Sequence, residues 1–416
     1  MGFVLTFATL SRGATTRPAA DTWPQFRGPT GQGISEATNV PVEWNARKNV
    51  AWSAPIPGRG WSSPVVAGGK VYLTTSIARP RGPVSLFAVC IDARTGKPVW
   101  DTEVFEPGTS LASQMHGKNT LASPTPIVTE DRLYVHFGHM GTAALDLSGK
   151  IVWAQTGLKY EPVHGAGGSP ALVGDLLVVD CDGASDPFIA ALDTKTGQIK
   201  WKTPRNSDAR KTFSFSTPLP IKVDGQTQII SPASGFVGSY DPADGHELWR
   251  VRYGDGYSVV PRPVFAYDLL FISSGFDTPT ILAIRAGGAS GDATRSHVAW
   301  ARPKGGPNTP SMLAAGDELY VVSDAGIATC LDARTGKVYW THRLDGTFSA
   351  SPVLAEGRVY FQTEGGAAIV IKAAKTFQPL AENELGERSL ASPAIVDGAI
   401  FIRTEHRLWK IATVAR

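Results

Sequence analysis

Residues 91–100 read IDARTGKPVW, and the same design returns as LDTKTGQIKW at 192–201, YDPADGHELW at 240–249 and LDARTGKVYW at 331–340. Residues 145–153, LDLSGKIVW, are a copy one residue shorter in the turn. Each copy runs from an Asp through a polar turn to a Gly, and a Trp stands four residues after that Gly. Gly96, Gly149, Gly197, Gly245 and Gly336 fall where a left-handed backbone suits Gly and costs other residues more, so each copy predicts a tight hairpin. The Trp then lies on the strand leaving the turn. A large flat side chain there covers the seam between neighbouring small sheets, and removing a buried one typically costs ~3–5 kcal/mol. Trp100, Trp153, Trp201, Trp249, Trp300 and Trp340 are therefore read as docking side chains rather than as a cofactor-stacking platform.

Ahead of these turns, a small residue, a Pro and an apolar run recur. The copies are read as beginning at Ser63, Ser123, Ser169, Thr217, Arg262, Thr309, Ser351 and Ser392, with prolines 60, 46, 48, 45, 47, 42 and 41 residues apart. A period of that size built from short strands implies blades that are stable only when stacked. Within the first unit, 62–66, 70–75 and 87–91 read as strands before the Asp92 turn, with Gly68-Gly69 as a hairpin. No segment carries a long helical period. The expectation is an all-β chain, an eight-bladed β-propeller of four-stranded antiparallel blades.

The ends fit that count. The last repeat begins at Ser392 and stops before an outer strand, while 49–56, NVAWSAPI, is a strand-like stretch with its own docking residue, Trp52, and no preceding partners. Pairing the two completes the eighth blade and leaves the ring no open edge. The chain divides into 1–22, a possible export or disordered segment; 23–48, an extension packing on the ring; and 49–416, a single propeller. Two units depart from the pattern. Residues 287–296, GGASGDATRS, enlarge one turn and are expected to form an exposed loop. In 371–380, IKAAKTFQPL, Thr376 replaces the Gly and Leu380 the Trp, so that blade is expected to dock less tightly.

Charge is nearly balanced, 40 Lys+Arg against 37 Asp+Glu, without a long basic run, which argues against nucleic acid as a partner. The three cysteines, Cys90, Cys181 and Cys330, give no disulfide framework and read as small buried apolar side chains. The apolar stretch 2–10 has the size of a signal-peptide core and is too short to span a bilayer as a helix, although no Lys or Arg precedes it. No transmembrane segment is expected. No G-x-S-x-G elbow, H-E-x-x-H pair or phosphate-cradling loop is present, and no catalytic set is assigned.

Loops entering the inner strands and loops joining second to third strands converge on one face of such a ring. Those of the second and third blades contribute His116, His139, His164, Asp180 and Asp182, with Asn119 nearby. Such groups are metal-ligand and acid–base types, but they come from separate loops; His136 and His139, three apart, point to opposite faces of a strand, and no metal set is assigned. Trp61, Arg262, Asp277, Asn308, Asp324, Glu364 and Arg403 fall at matching positions in other blades. Arg262 replaces the small residue before Pro. It would either hold a ligand's carboxylate or phosphate bidentately or pair with a neighbouring Asp or carbonyl.

The repeated turn-Gly-x-x-x-Trp unit resembles the tryptophan-docking repeat of the quinoprotein-type propellers, a superfamily that includes pyrroloquinoline-quinone dehydrogenases and BamB-type outer-membrane assembly proteins. WPQFRGPTGQG at 23–33 and NVAWSAPIPGRGWSSPVV at 49–66 resemble exported bacterial PQQ-like or BamB-like proteins of the kind common in planctomycete-type genomes. The resemblance covers 23–416. It is strong for fold and carries activity only weakly, because one fold hosts many functions. Many dehydrogenases of that superfamily carry an adjacent Cys pair, a calcium on carboxylate and Asn side chains, and an Asp base; this chain has no adjacent cysteines and no matching set. BamB-type proteins carry a lipidated N-terminal Cys, whereas the first cysteine here is Cys90. The resemblance implies an exported, monomeric, non-catalytic scaffold of the periplasm or cell envelope that binds a protein, peptide or glycan partner without a cofactor. Its competitor is an oxidoreductase using pyrroloquinoline quinone with calcium, or a metal, near the axis.

Overall fold

The computed structural model describes residues 22–79, 82–107, 115–277 and 279–413. The possible export segment at 1–22 lies outside the described residues except for Thr22. Eight antiparallel sheets stand in a ring, and among the described residues the only helical element is a 3₁₀ turn, Gly138–Met140. The first blade shows the plan: Val65–Ala67 innermost, then Lys70–Ala78, Val84–Asp92 and Pro98–Phe105 outermost. The eighth takes Ala394–Val396, Ala399–Arg403 and Arg407–Ala412 from the end of the chain and Val50–Pro55 from its start. Ser53 pairs with Trp409 and Ala54 with Leu408, so the ring closes between first and last strands as the repeat count required.

The docking indoles show why Gly and Trp recur together. Trp52, Trp100, Trp153, Trp201, Trp300 and Trp340 each donate the indole N–H to a backbone carbonyl in the next blade's turn: Ala93, Leu147, Thr194, Pro242, Ala333 and Ala374, at 2.8–3.1 Å. The turn Gly lies under the ring, and a Cβ at Gly245 would come within 2.4 Å of Trp201. Trp249 departs from this. It is fully buried, and its N–H goes to Gln228 Oε1 within its own blade at 3.0 Å. The reason is the enlarged turn of the fifth blade, which is not simply an exposed loop. Gly291–Asp292 folds back as a parallel strand beside Trp249 and Arg250, and buried Ala293 joins the cluster around Trp249.

The seventh blade also corrects the expectation of weaker docking. Leu380 is exposed, but Trp44 from the N-terminal extension is 4% exposed and stacks on Tyr360 at 6.4 Å. Tyr72, Tyr134 and Tyr320 face Trp100, Trp153 and Trp340 of their own blades in the corresponding pairing. Trp44 thus fills the place of the missing indole. Asn383 fixes it there, its Oδ1 accepting from the backbone N–H of Trp44 at 2.7 Å and its Nδ2 donating to the Val42 carbonyl at 3.0 Å.

The inner strands are tied by a girdle of hydroxyls that also shifts two repeat boundaries. The backbone N–H of Ser63 donates to Thr125, Thr125 to Ser169, Ser169 to Thr217, Arg262 to Ser311, Ser311 to Ser351, Ser351 to Ser392 and Ser392 back to Ser63, at 2.8–3.1 Å. Thr125 and Ser311, not Ser123 and Thr309, hold the equivalent place, because each lies two residues before its inner strand. The girdle has one gap in its hydroxyls, at Arg262.

Residues 23–35 run inside the ring. Trp23 bridges to Val66, Pro24 O accepts from Val128 N at 2.9 Å, Gln32 Oε1 from Phe265 N at 2.7 Å and Gly33 O from Leu354 N at 2.8 Å. Ile34–Ser35 then pairs in parallel with Leu354 and Ala355. These contacts lie further along the inner strands than the girdle, so the segment plugs the channel beyond it.

Candidate functional site

On the girdle side of the plug the axis opens into a funnel of about 360 Å³, floored by Phe26 of the plug. One wall is a continuous series of rings contributed by successive blades. His116 meets His164 edge-to-face at 5.5 Å, His164 meets Phe213 at 5.6 Å, Phe213 meets Tyr257 at 5.4 Å, and Tyr257 meets Phe276 at 6.4 Å. Phe215 packs on Phe213, and Lys211 Nζ lies 3.9 Å from the Tyr257 ring centre, a cation–π arrangement. Trp61 and Leu390 also line the funnel, with the Arg388 guanidinium 5.6 Å from the Trp61 ring.

Polar groups on this surface are few and mostly engaged. The Asn119 amide donates to the His164 carbonyl at 2.7 Å, holding a residue whose φ of 65° lies in the left-handed region. Burial, followed by the charges of His116 and Lys211, lowers the His164 pKa, so the ring is neutral at neutral pH. Lys118 is paired at 2.7 Å with Glu364, which also accepts from Ser349 Oγ at 2.6 Å. No carboxylate lines the funnel among the described residues.

The structure distributes the sequence-derived candidates unevenly. His116 and His164 line the funnel, together with Trp61 and Asn119. His139 sits on the 3₁₀ turn against Tyr160, outside the funnel lining, and burial lowers its pKa. Asp180 and Asp182 flank Arg205 at 2.6 and 2.9 Å, with all three side chains essentially buried. Asp324 is a loop cap, accepting from Asn308 N, Thr309 N and Thr309 Oγ1. Asp277 is exposed near the rim, 3.4 Å from the Tyr257 hydroxyl that donates to it.

Arg262 and Arg403 are not available to a ligand. Arg262 is 1% exposed and donates to the carbonyls of Phe26 and Pro218 at 2.7 and 2.9 Å. It therefore ties both the plug and the fourth blade to its own, the fifth, where the girdle hydroxyl is missing, the carbonyl-pairing alternative of the two. Arg403 donates to the Ser62 and Thr74 carbonyls and to Ser62 Oγ, joining the eighth blade to the first. Burial lowers both guanidinium pKa values to about 9, and Arg27, which donates to Met312 O, is lowered to about 9 by burial and by Arg262.

Phe26, Lys118, Phe213, Phe215, Tyr257 and Phe276 are funnel residues that the sequence reading missed. The alternating aromatics of 213–217, FSFST, immediately before an inner strand were the available signal.

A quinone with calcium fits this funnel poorly. The volume is adequate, but hard-cation binding calls for oxygen ligands, usually including carboxylate, and the described lining offers Ser, Thr and Asn oxygens with no anionic group. Cys90, Cys181 and Cys330 are all buried and lie outside it.

Known proteins place this architecture. The family model described as "Outer membrane protein assembly factor BamB" matches residues 85–216 and 233–411, well over half of the chain. An outer membrane protein assembly factor BamB of Burkholderia pseudomallei (strain K96243) is 26% identical over 325 residues, 73% of each chain. A quinohemoprotein alcohol dehydrogenase, ADH-IIG, of Pseudomonas putida is 27% identical over 185 residues, 38% of this chain and 24% of that protein. The crystal structure of BamB from Moraxella catarrhalis superposes with a TM-score of 0.62 at 12% identity, covering 88% of this chain and 98% of that one, a likeness of fold. With the ring, its docking indoles and these matches together, the chain belongs to the family of outer membrane protein assembly factor BamB, among the PQQ-like β-propellers.

Proposed function

We propose that this protein is a non-catalytic binding scaffold of the bacterial cell envelope that receives a protein, peptide or glycan partner at the mouth of the axial funnel. The ring wall from His116 to Phe276 carries this reading. Aromatic faces projecting into a concave site bind apolar side chains or the apolar face of a sugar, with orientation supplied by a few polar groups. Lys118, His116 and Asn119 are those groups here. Family membership supports an envelope setting and a role in assembly with other proteins.

The test is titration of purified protein with panels of envelope-derived peptides and oligosaccharides, followed by intrinsic fluorescence and calorimetry. Saturable binding that weakens at least about tenfold in Phe213→Ala and Tyr257→Ala supports the reading, since a lost stacking ring is worth about 1.4 kcal/mol or more. Binding unaffected by both substitutions overturns it. Similarity to the quinohemoprotein dehydrogenase motivates one competing assay: pyrroloquinoline quinone and calcium are added and dye reduction with alcohols or sugars is followed. Turnover there would replace the scaffold reading with an oxidoreductase.

A further inference from the structure

Behind the aromatic wall lies a second cavity of about 10 Å³, room for roughly one atom or water. Gly167 and Phe215 line both this cavity and the funnel. Its polar side chains are Tyr160, Asp180, Asp182, Ser214 and Ser216, with residues 165–168 completing the lining, and the Tyr160 hydroxyl is engaged with the His139 backbone.

The balance of charge around it is unequal. The Asp182 side chain is 0% exposed, and neither of its oxygens accepts a hydrogen bond. Arg205 Nε is 2.9 Å from Asp182 Oδ1 but is not aligned to donate. The same guanidinium faces Asp180 through Nη2 at 2.6 Å, while Asp180 Oδ2 accepts from Ser231 Oγ at 2.7 Å. Two carboxylates thus share one guanidinium. Tyr160 and Tyr240 are held as neutral phenols by burial, and His139 as a neutral imidazole, so no further positive charge comes from them. A buried, uncompensated carboxylate is costly unless something neutralises it.

The serines cannot supply the missing donors. Ser214 Oγ donates to Val259 O at 3.0 Å, and Ser216 Oγ donates to Pro261 O at 2.9 Å. Each hydroxyl proton is committed, which leaves oxygen lone pairs for an electropositive guest. The cavity lining therefore offers carboxyl and hydroxyl oxygens, the ligand type of hard cations; burial raises the pKa of both Asp182 and Asp180, and only when both are ionised do they exceed Arg205 by one negative charge, the excess that a bound cation would offset.

We propose that this cavity is a site for one small monovalent cation of sodium size, bound by Asp182 with Asp180, Ser214 and Ser216 and bracing the wall that forms the funnel. The single charge matches the excess, and the volume admits one dehydrated ion. The site lies behind the wall and does not depend on what the funnel binds.

Thermal unfolding of the full chain in sodium, potassium and tetramethylammonium chlorides at equal ionic strength tests it, with calcium chloride as a further arm. A Tm higher in sodium than in tetramethylammonium by about 2 °C or more, saturating with concentration, is the expected result. Asp182→Asn is expected to remove that dependence. Equal Tm in all salts overturns the proposal, as does stabilisation by calcium alone or a sodium response that persists in Asp182→Asn. A stability that depends on pH but not on the cation assigns a proton to Asp182 and also overturns it. Should Asp182→Asn fail to fold, the salt series on the native chain decides by itself, and Asp180→Asn serves as the second variant.

Discussion

The indole of Trp153 lies so close against Gly197 of the following blade that a Cβ on Gly197 would come within 2.5 Å of its ring. Gly197 also has φ 72°, so two requirements, a left-handed turn and an unobstructed face, converge on one residue. Gly197→Ala is expected to destabilise the ring by about 1–3 kcal/mol, and Trp153→Ala by about 3–5 kcal/mol. Chemical denaturation midpoints check both, and the double variant should cost less than the sum, because the two residues act on one contact.

Trp44 and Leu380 offer a reversal of what the repeat alignment implies. Leu380 stands in the aligned Trp position but is 44% exposed, whereas Trp44, outside any repeat, is buried on Tyr360. Trp44→Ala is expected to lower stability by about 3 kcal/mol or more, while Leu380→Ala stays within about 0.5 kcal/mol of the native chain. Equal effects in the same unfolding assay would contradict the substitution of one indole for another.

Ser351 Oγ accepts the Ser311 N–H at 3.0 Å in the girdle. Ser351→Ala leaves that N–H without its partner and is expected to cost roughly 1–2 kcal/mol. Ser351→Thr keeps the hydroxyl, as Thr125 and Thr217 do natively, and is expected to be much milder. Comparison of the two midpoints separates the hydrogen bond from side-chain volume.

His136 predicts an acid-sensitive term. It is 2% exposed, its Nδ1 pairs with Thr142 Oγ1 at 2.8 Å, and burial, followed by His139, lowers its pKa to about 4. The folded chain then resists a proton that the unfolded chain accepts near pH 6.5. Stability attributable to this residue is intact above about pH 6.5 and declines as pH falls toward about 4, by a total on the order of 3 kcal/mol. His136→Gln should flatten the decline across that window, measured as the difference in urea midpoint at about pH 7 and about pH 4.5. An unchanged pH dependence would remove His136 as the cause.

The ring, its eight blades and the closing strand were legible because Asp, Gly and Trp at fixed spacing report on one local geometry repeated many times. Trp249 looked like its counterparts because the turn preceding it is regular; its different hydrogen bond originates in the next blade's insertion, which sequence spacing alone does not fold back. The funnel was partly legible. His116 and His164 were found from their place on converging loops, and Arg262 follows the carbonyl-pairing one of its two readings, but Arg403 was misleading, since its partners are the backbone and hydroxyl of Ser62 and the carbonyl of Thr74, far away in the chain. Phe213 and Tyr257 were overlooked because aromatic residues before a strand read equally well as core.

The plug and the closing strand together impose an order of events. Residues 50–55 are synthesised long before their partner, 407–412, and the segment that fills the bore precedes both. A nascent chain can stack blades as they appear, but it stays an open arc until residues 407–412 have been made. Only then can the circle clasp, around a plug that precedes every blade in the chain.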